Sequence, residues 1–519
     1  MYSGLSQKRK EMRQIVILSI LMALWSCSTK ETIQPNIIFI MTDDHGYQAV
    51  SAYGSGLNST PNLDRIGDEG IIFRNSFVCN SICAPSRAAL LTGKHSHANG
   101  HLDNRMRFDS SQVTFPKLLR DAGYQTALIG KWHLKSDPTG FDYWNILPGQ
   151  GSYYNPDFIE MGRTYRENGY ATTIITDMAI EWLSNRDTAK PFCLMVHHKA
   201  PHRNWMPDTV DLDLYDGASF PVPDNFFDDY KGRQAASLQE MSIMHDMRMS
   251  SDLKITGADG DSISPAEKDY LWYLNNRLGP EQYRAWCREY DSISLAYNKH
   301  PLSGDSLALY KLNRYLTDYL RTIQSVDRNT GRLMDYIDAS GLKDNTLVVY
   351  TSDQGFYLGE HGWFDKRFMY EESFRTPLMM RLPAGYTSRG DIEEMVQNID
   401  LAPTFLEMAG VTPPEEMQGV SMVPLLRGIK PGKWRDALYY QYYEYPAEHA
   451  VRKHYGIRTG RYKLIHFYDD IDQWELYDLT TDPHEMHNLI DDPGYDAVEK
   501  KLRRKLNGLR KEYRVPEEV

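Results

Sequence analysis

Apolar residues along this chain fall into two periods. Wholly apolar runs come first: Asn36-Ile37-Ile38-Phe39-Ile40-Met41-Thr42, then 124–130, 192–196 and 346–352. Runs of this length with no polar face predict strands buried on both sides, the pattern of a parallel sheet covered by helices. Between them the spacing changes to three or four. Residues 115–122, 174–183 and 310–337 predict helices, the first ending near Gly123 and the last at Ser340-Gly341. Alternation of this kind predicts an α/β fold with a mostly parallel central sheet flanked by helices.

The pattern shifts near the end. Residues 411–434 collect proline and glycine and read as a boundary. Short aromatic runs at 438–443, 456–458, 462–465 and 475–479 then predict a small antiparallel sheet, covered by a charged helix over 497–513. The expected organisation is a leader over 1–27, an α/β catalytic domain over 28–430, and a smaller C-terminal α+β domain over 431–519. Residues 205–300 are less regular, with helical text at 238–249, and are expected to form an insertion or lid.

In the leader, Lys8, Arg9, Lys10 and Arg13 precede an apolar stretch at 15–25, too short to span a bilayer and suited to an export signal. It ends in Leu24-Trp25-Ser26-Cys27, which resembles a bacterial lipoprotein cleavage box. The expected location is therefore outside the cytoplasm, in the periplasm or as an outer-membrane or cell-surface lipoprotein. The membrane is reached only through a lipid anchor at Cys27. A net charge of −12 without a basic block argues against nucleic acid as a partner. Cys79, Cys83, Cys193 and Cys287 show no disulfide framework, and no disulfide through Cys83 is expected.

The chemistry gathers where strands end. The first runs into Asp43-Asp44-His45-Gly46, and two adjacent carboxylates suit a hard divalent cation. The others end in Lys131-Trp132-His133, in His197-His198-Lys199-Ala200-Pro201-His202, and in Asp353-Gln354-Gly355, with Gly359-Glu360-His361-Gly362 and Lys366 beyond. Ligands of open α/β sheets bind at the carboxyl ends of strands, so four such ends predict one polar site. Cys83-Ala84-Pro85-Ser86-Arg87 joins them. Pro85 suits the first turn of a helix, which sets Cys83 at its N-terminus, where an anion is favoured, and Arg87 one turn on.

Cys83-Ala84-Pro85-Ser86-Arg87 with Leu91-Thr92-Gly93-Lys94 resembles the modification signature of the type I, formylglycine-dependent sulfatases. Asp43-Asp44, Gly130-Lys131-Trp132-His133, Ala200-Pro201-His202, Asp353-Gln354-Gly355, Asp400-Leu401-Ala402-Pro403-Thr404 and Leu476-Tyr477-Asp478-Leu479 extend the resemblance over nearly the whole chain. Gln354 departs from the asparagine or histidine of many members but keeps an amide oxygen. The resemblance implies an alkaline-phosphatase-like fold and a formylglycine made by oxidation of Cys83. The maturing partner would be a formylglycine-generating or anaerobic sulfatase-maturating enzyme. It implies calcium held by Asp43, Asp44, residue 83, Asp353 and Gln354. Arg87, Lys131 and Lys366 would hold anionic oxygens, His133 would serve as base and His202 as acid to the leaving alcohol. The expected substrate is a sulfated saccharide. The Ala200-Pro201-His202 neighbourhood looks closest to the N-acetylglucosamine-6-sulfatases that act on glycosaminoglycans.

His197, His198 and His361 are spare histidines near these motifs. The 150–154 loop and Trp205 suit sugar, and Arg105, Arg107, Trp363, Arg367, His449 and His454 are further candidate contacts. Two other functions share the features: a phosphomonoester, phosphodiester or phosphonate hydrolase of the same superfamily, and a non-catalytic lipoprotein that binds sulfated glycans.

Overall fold

A computed structural model describes residues 34–258 and 263–517. The leader and Cys27 lie outside the described residues. A ten-stranded sheet runs in the order Gly390–Ile392, Ile71–Phe73, Leu378–Arg381, Thr346–Ser352, Asn36–Thr42, Phe192–His197, Gln125–Lys131, Tyr143–Leu147, Asp157–Glu160, Arg163–Arg166. Its five central strands, from Thr346–Ser352 to Tyr143–Leu147, are parallel. Antiparallel pairs extend it on both sides.

The period of two within each strand sorts its side chains between two cores. Ile37, Phe39, Leu128, Met195 and Val349 pack with Ala88, Leu91, Phe115, Leu119 and Phe405 of the helices Cys83–Thr92, Phe115–Asp121 and Leu401–Met408. Ile38, Ile40, Ile129, Val196 and Val348 face the opposite way, against Leu63, Ile66, Ile175, Leu333 and Ile337 of Pro61–Asp68, Ala171–Asn185 and Gly304–Ala339. Both faces are covered, which is why the strands read as unbroken apolar runs.

A four-stranded antiparallel sheet, Ala437–Tyr442, His454–Thr459, Tyr462–Phe467 and Gln473–Asp478, follows, with the helix Asp496–Glu512 against it. The described residues from 35 to 517 form a single compact unit. Residues 205–300 differ from expectation. The 238–249 text makes turns, whereas Pro265–Arg277 and Pro280–Lys299 are helices. Trp286, Tyr290 and Ser294 are the buried residues of the second, a spacing of four that marks its inner stripe.

Candidate active site

The parallel register brings the strand ends to one level. Met41 lies opposite both His197 and Thr351, and Gly130 lies opposite His197. The chain therefore leaves the sheet at Asp43, Lys131, His198 and Asp353 along one edge. Gly130 has φ +106, and a Cβ there would run into the His197 carbonyl oxygen, so this close approach of two strands requires glycine.

The helix Cys83–Thr92 is buried along its whole length and starts at this edge. Cys83 Sγ lies 3.4 Å from Asp43 Oδ1 and 3.7 Å from Gln354 Nε2. One turn on, Arg87 donates from Nε and Nη2 to Asp353 Oδ2 at 3.0 and 2.8 Å, and from Nη1 to the Lys131 carbonyl at 2.9 Å. Lys131 is ion-paired with Asp43. Lys366 donates to both oxygens of Asp44 at 2.7 Å. Three buried acids thus face three buried cations.

Asp43, Asp44 and Asp353 each bring an oxygen within 4.8 Å of the others. Burial, against the pull of Lys366 and with the push of Asp353, raises the Asp44 carboxyl to about 6. The Gln354 Oε1 is buried without a partner, while its Nε2 donates to Asp44. Clustered carboxylates plus an orphaned amide oxygen make a hard-donor set that fits a divalent cation. Burial also pushes the Cys83 thiol up to about 12. An uncharged thiol among hard oxygen donors is a weak nucleophile and a poor ligand, whereas an oxygen at the same position would suit both the acids and the cation.

His202 Nδ1 donates to the Arg203 carbonyl at 2.7 Å, which leaves Nε2 facing Asp44 at 3.8 Å. Burial first, then Lys131, Lys366 and Lys199, hold the His202 imidazole far below its ordinary range. His133 is held low by burial and by Lys131, Arg87 and Lys366, and its Nδ1 has no partner. Both imidazoles are thus neutral.

Other candidates fall elsewhere. Trp205 and Trp363 are wholly buried among aromatic side chains, and His454 accepts from the Met369 amide. None of the three can touch a ligand. His197 is packed edge-on to Phe39 and bonded to the Lys131 carbonyl, and His361 is bonded to Asp228. His198 is buried, with an unpartnered Nδ1. Arg105 is exposed and paired with Asp103. Arg367 and His449 instead meet at Asp365, at 3.1 and 3.2 Å. Asp365 stands outside the candidates drawn from the sequence, although its place next to Lys366 is a usable signal, and Lys199 has no role among them.

A mostly parallel α/β sheet with three acids, three cations, two neutral imidazoles and a helix-borne residue 83 at its carboxyl edge defines a hydrolase of anionic esters. Comparison with known proteins assigns the family. Residues 35–411 match the sulfatase family model, and residues 359–512 match that of the N-sulphoglucosamine sulphohydrolase C-terminal region. The chain belongs to the sulfatase family and is a sulfatase. It is 51% identical to an N-acetylglucosamine-6-O-sulfatase of Bacteroides thetaiotaomicron, over 95% of this chain and 90% of that protein. It is 26% identical to the Homo sapiens N-acetylglucosamine-6-sulfatase, over 79% and 68% of the two chains. Among solved structures, BT4656 in complex with its substrate D-glucosamine-2-N,6-O-disulfate is 50% identical, with a TM-score of 0.89, covering 93% of this chain and 99% of that one. The fold is shared more widely, for instance with the phosphonate monoester hydrolase of Agrobacterium radiobacter, at 21% identity and a TM-score of 0.66 over 92% and 96% of the two chains.

Proposed function

We propose that this sulfatase hydrolyses the 6-O-sulfate of glucosamine-type residues, N-acetylglucosamine 6-sulfate included, in glycosaminoglycan fragments. The observation that carries this reading is residue 83, fixed at a buried helix start between Asp43 and Gln354. It is supported by half-identity to a named N-acetylglucosamine-6-O-sulfatase. The proposed form of residue 83 is formylglycine, whose Cβ oxygens would stand where Sγ now stands. Its hydrate supplies a hydroxyl nucleophile toward sulfur and a second hydroxyl whose deprotonation releases sulfate. The proposed cation is calcium, held by Asp43, Asp44, Asp353 and Gln354 with residue 83. It supplies positive charge and lowers the pKa of a neighbouring hydroxyl.

The chain's own residues do the rest. Arg87 fixes Asp353 and the Lys131 carbonyl, and so sets the helix start against two strand ends. Lys131 and Lys366 present ammonium groups to the non-bridging sulfate oxygens while staying paired with Asp43 and Asp44. His202 is held neutral first by burial and then by Lys131, Lys366 and Lys199, and a sulfate anion among these lysines favours its protonated form, while His133 stays neutral as the base. His202, oriented through Nδ1, then donates from Nε2 to the departing sugar oxygen, and His133 takes the proton of the second hydroxyl.

The test measures sulfate and phosphate release from 6-, 4-, 3-, 2-O- and N-sulfated sugars and from aryl phosphate. The 6-O-sulfated N-acetylglucosamine is expected to lead. Equal rates across the panel, or phosphate release exceeding sulfate release, would reject the reading. Maturation is tested by mass spectrometry of the peptide around Cys83, where an aldehyde is expected in place of the thiol. The proposed location, outside the cytoplasm on a lipid anchor at Cys27, predicts that Cys27→Ser moves the protein from the membrane to the soluble fraction.

A further inference from the structure

Beside His202 the polar centre opens into a cleft of about 500 Å³. Tyr153 and Tyr273 line it, together with the cations Lys199 and Arg248 and the acids Asp269 and Glu448. Lys199 is 5% exposed, and its ammonium sits 4.8 Å from the centre of the Tyr153 ring. No carboxylate or hydrogen-bond acceptor partners it among the described residues. Arg248, exposed at the rim, has no side-chain ion pair among the described residues either. The third cation on this wall differs, because Arg203 is held at 2.6 Å by Asp252.

An unpaired buried ammonium is costly, because burial strips its water and nothing replaces it. At the centre each cation already has its acid: Arg87 with Asp353, Lys131 with Asp43, Lys366 with Asp44. Those six groups balance. Under the proposed function, a divalent cation would be offset by the sulfate ester and an ionised hydroxyl on residue 83. Lys199 is then left over, and its charge calls for an anion that arrives with the substrate.

We propose that Lys199, assisted by Arg248, binds a second anionic substituent on the same saccharide and so makes this sulfatase select doubly charged substrates. The inference rests on the functional reading above. The second anion has two possible sources, an N-sulfate on the same ring or a uronic acid carboxylate on the neighbouring ring, and both are met by the same ammonium chemistry.

The experiment compares three saccharides: N-acetylglucosamine 6-sulfate, glucosamine-2-N,6-O-disulfate, and N-acetylglucosamine 6-sulfate linked to a uronic acid. The readout is the ratio of kcat/KM for each two-anion substrate to that for the first. Lys199→Met is expected to lower at least one ratio by about 10-fold or more, the size of a charge-assisted contact. Lys199→Arg should restore much of it. Arg248→Met, at an exposed position, should lower the same ratio by about 2- to 5-fold and keeps the test open if Lys199→Met folds poorly. The ratio that falls identifies the source of the anion. Ratios that stay within about 2-fold in both methionine variants would overturn the inference while leaving the functional reading intact. Wild-type protein that releases sulfate from none of the three would instead remove the functional reading, and this inference with it.

Discussion

Arg87→Lys is the sharpest perturbation of the site because it keeps the charge and removes only the geometry. Arg87 is 2% exposed and makes three hydrogen bonds of 2.8–3.0 Å, two to Asp353 and one to the Lys131 carbonyl. A lysine of similar reach can keep one of them. Hydrogen bonds to charged groups contribute about 1.5–3 kcal/mol each, so losing two removes about 3–6 kcal/mol. Breaking one side of a buried pair costs about 3–5 kcal/mol, which agrees. Some of this loss falls on stability and some on the placement of residue 83 against Asp353. Because the charge survives, the lower end applies, and kcat/KM for sulfate release should fall about 100-fold. The assay is initial-rate sulfate release from N-acetylglucosamine 6-sulfate, with thermal unfolding of the same preparations. Arg87→Met, which strands Asp353 without a partner, should lose more activity and melt earlier. An Arg87→Lys enzyme within about 3-fold of wild type would show that the two-point grip does not position the nucleophile.

Cys83→Ala should abolish sulfate release while saccharide binding, measured by calorimetry, stays within about 10-fold. Chelation should stop turnover and calcium should restore it, and Gln354→Leu should raise the calcium concentration needed for half recovery by about 10-fold or more. Gly130→Ala should fail to give a stable protein, losing more than about 3 kcal/mol, because neither its φ nor the His197 carbonyl leaves room for a methyl group. Burial raises the Glu475 carboxyl from its ordinary 4.5 to about 7, with Tyr370 and Tyr477 donating to its Oε2. The folded chain therefore holds a proton that the unfolded chain has already released between those values. Stability falls as pH rises from about 4.5 to 7, by up to about 3 kcal/mol. Glu475→Gln should remove that slope, and unfolding at pH 5 and pH 8 would reveal a variant effect of equal size at both if the reasoning is wrong.

Much of the site was legible because a parallel sheet simplifies the text. Strands covered on both faces must be apolar throughout, so a polar residue marks the strand's end, and strand ends are where such folds keep their chemistry. Asp43, Lys131, His202 and Asp353 could be found this way without a structure. The sheet margins were not legible, since Tyr143–Leu147, Asp157–Glu160 and Leu378–Arg381 are short and mixed in polarity, as antiparallel edge strands are. Aromatic loops misled for a different reason. A tryptophan in irregular text carries no period to say which way it faces, and Trp205 and Trp363 both turn inward.

Partnership is the deepest property hidden from the sequence. Lys131, Lys199 and Lys366 look alike in the chain, each a cation beside a conspicuous motif. In the fold, two of them are neutralised by carboxylates that arrive from 88 and 322 residues away. The third is left against a tyrosine ring with no carboxylate paired to it among the described residues. A cation paired within the protein can polarise a ligand but need not attract one. An unpaired one draws an anion into the cleft and loses its burial cost when the anion binds. That difference separates the lysines proposed to serve the sulfate ester from the one proposed to choose the saccharide that carries it.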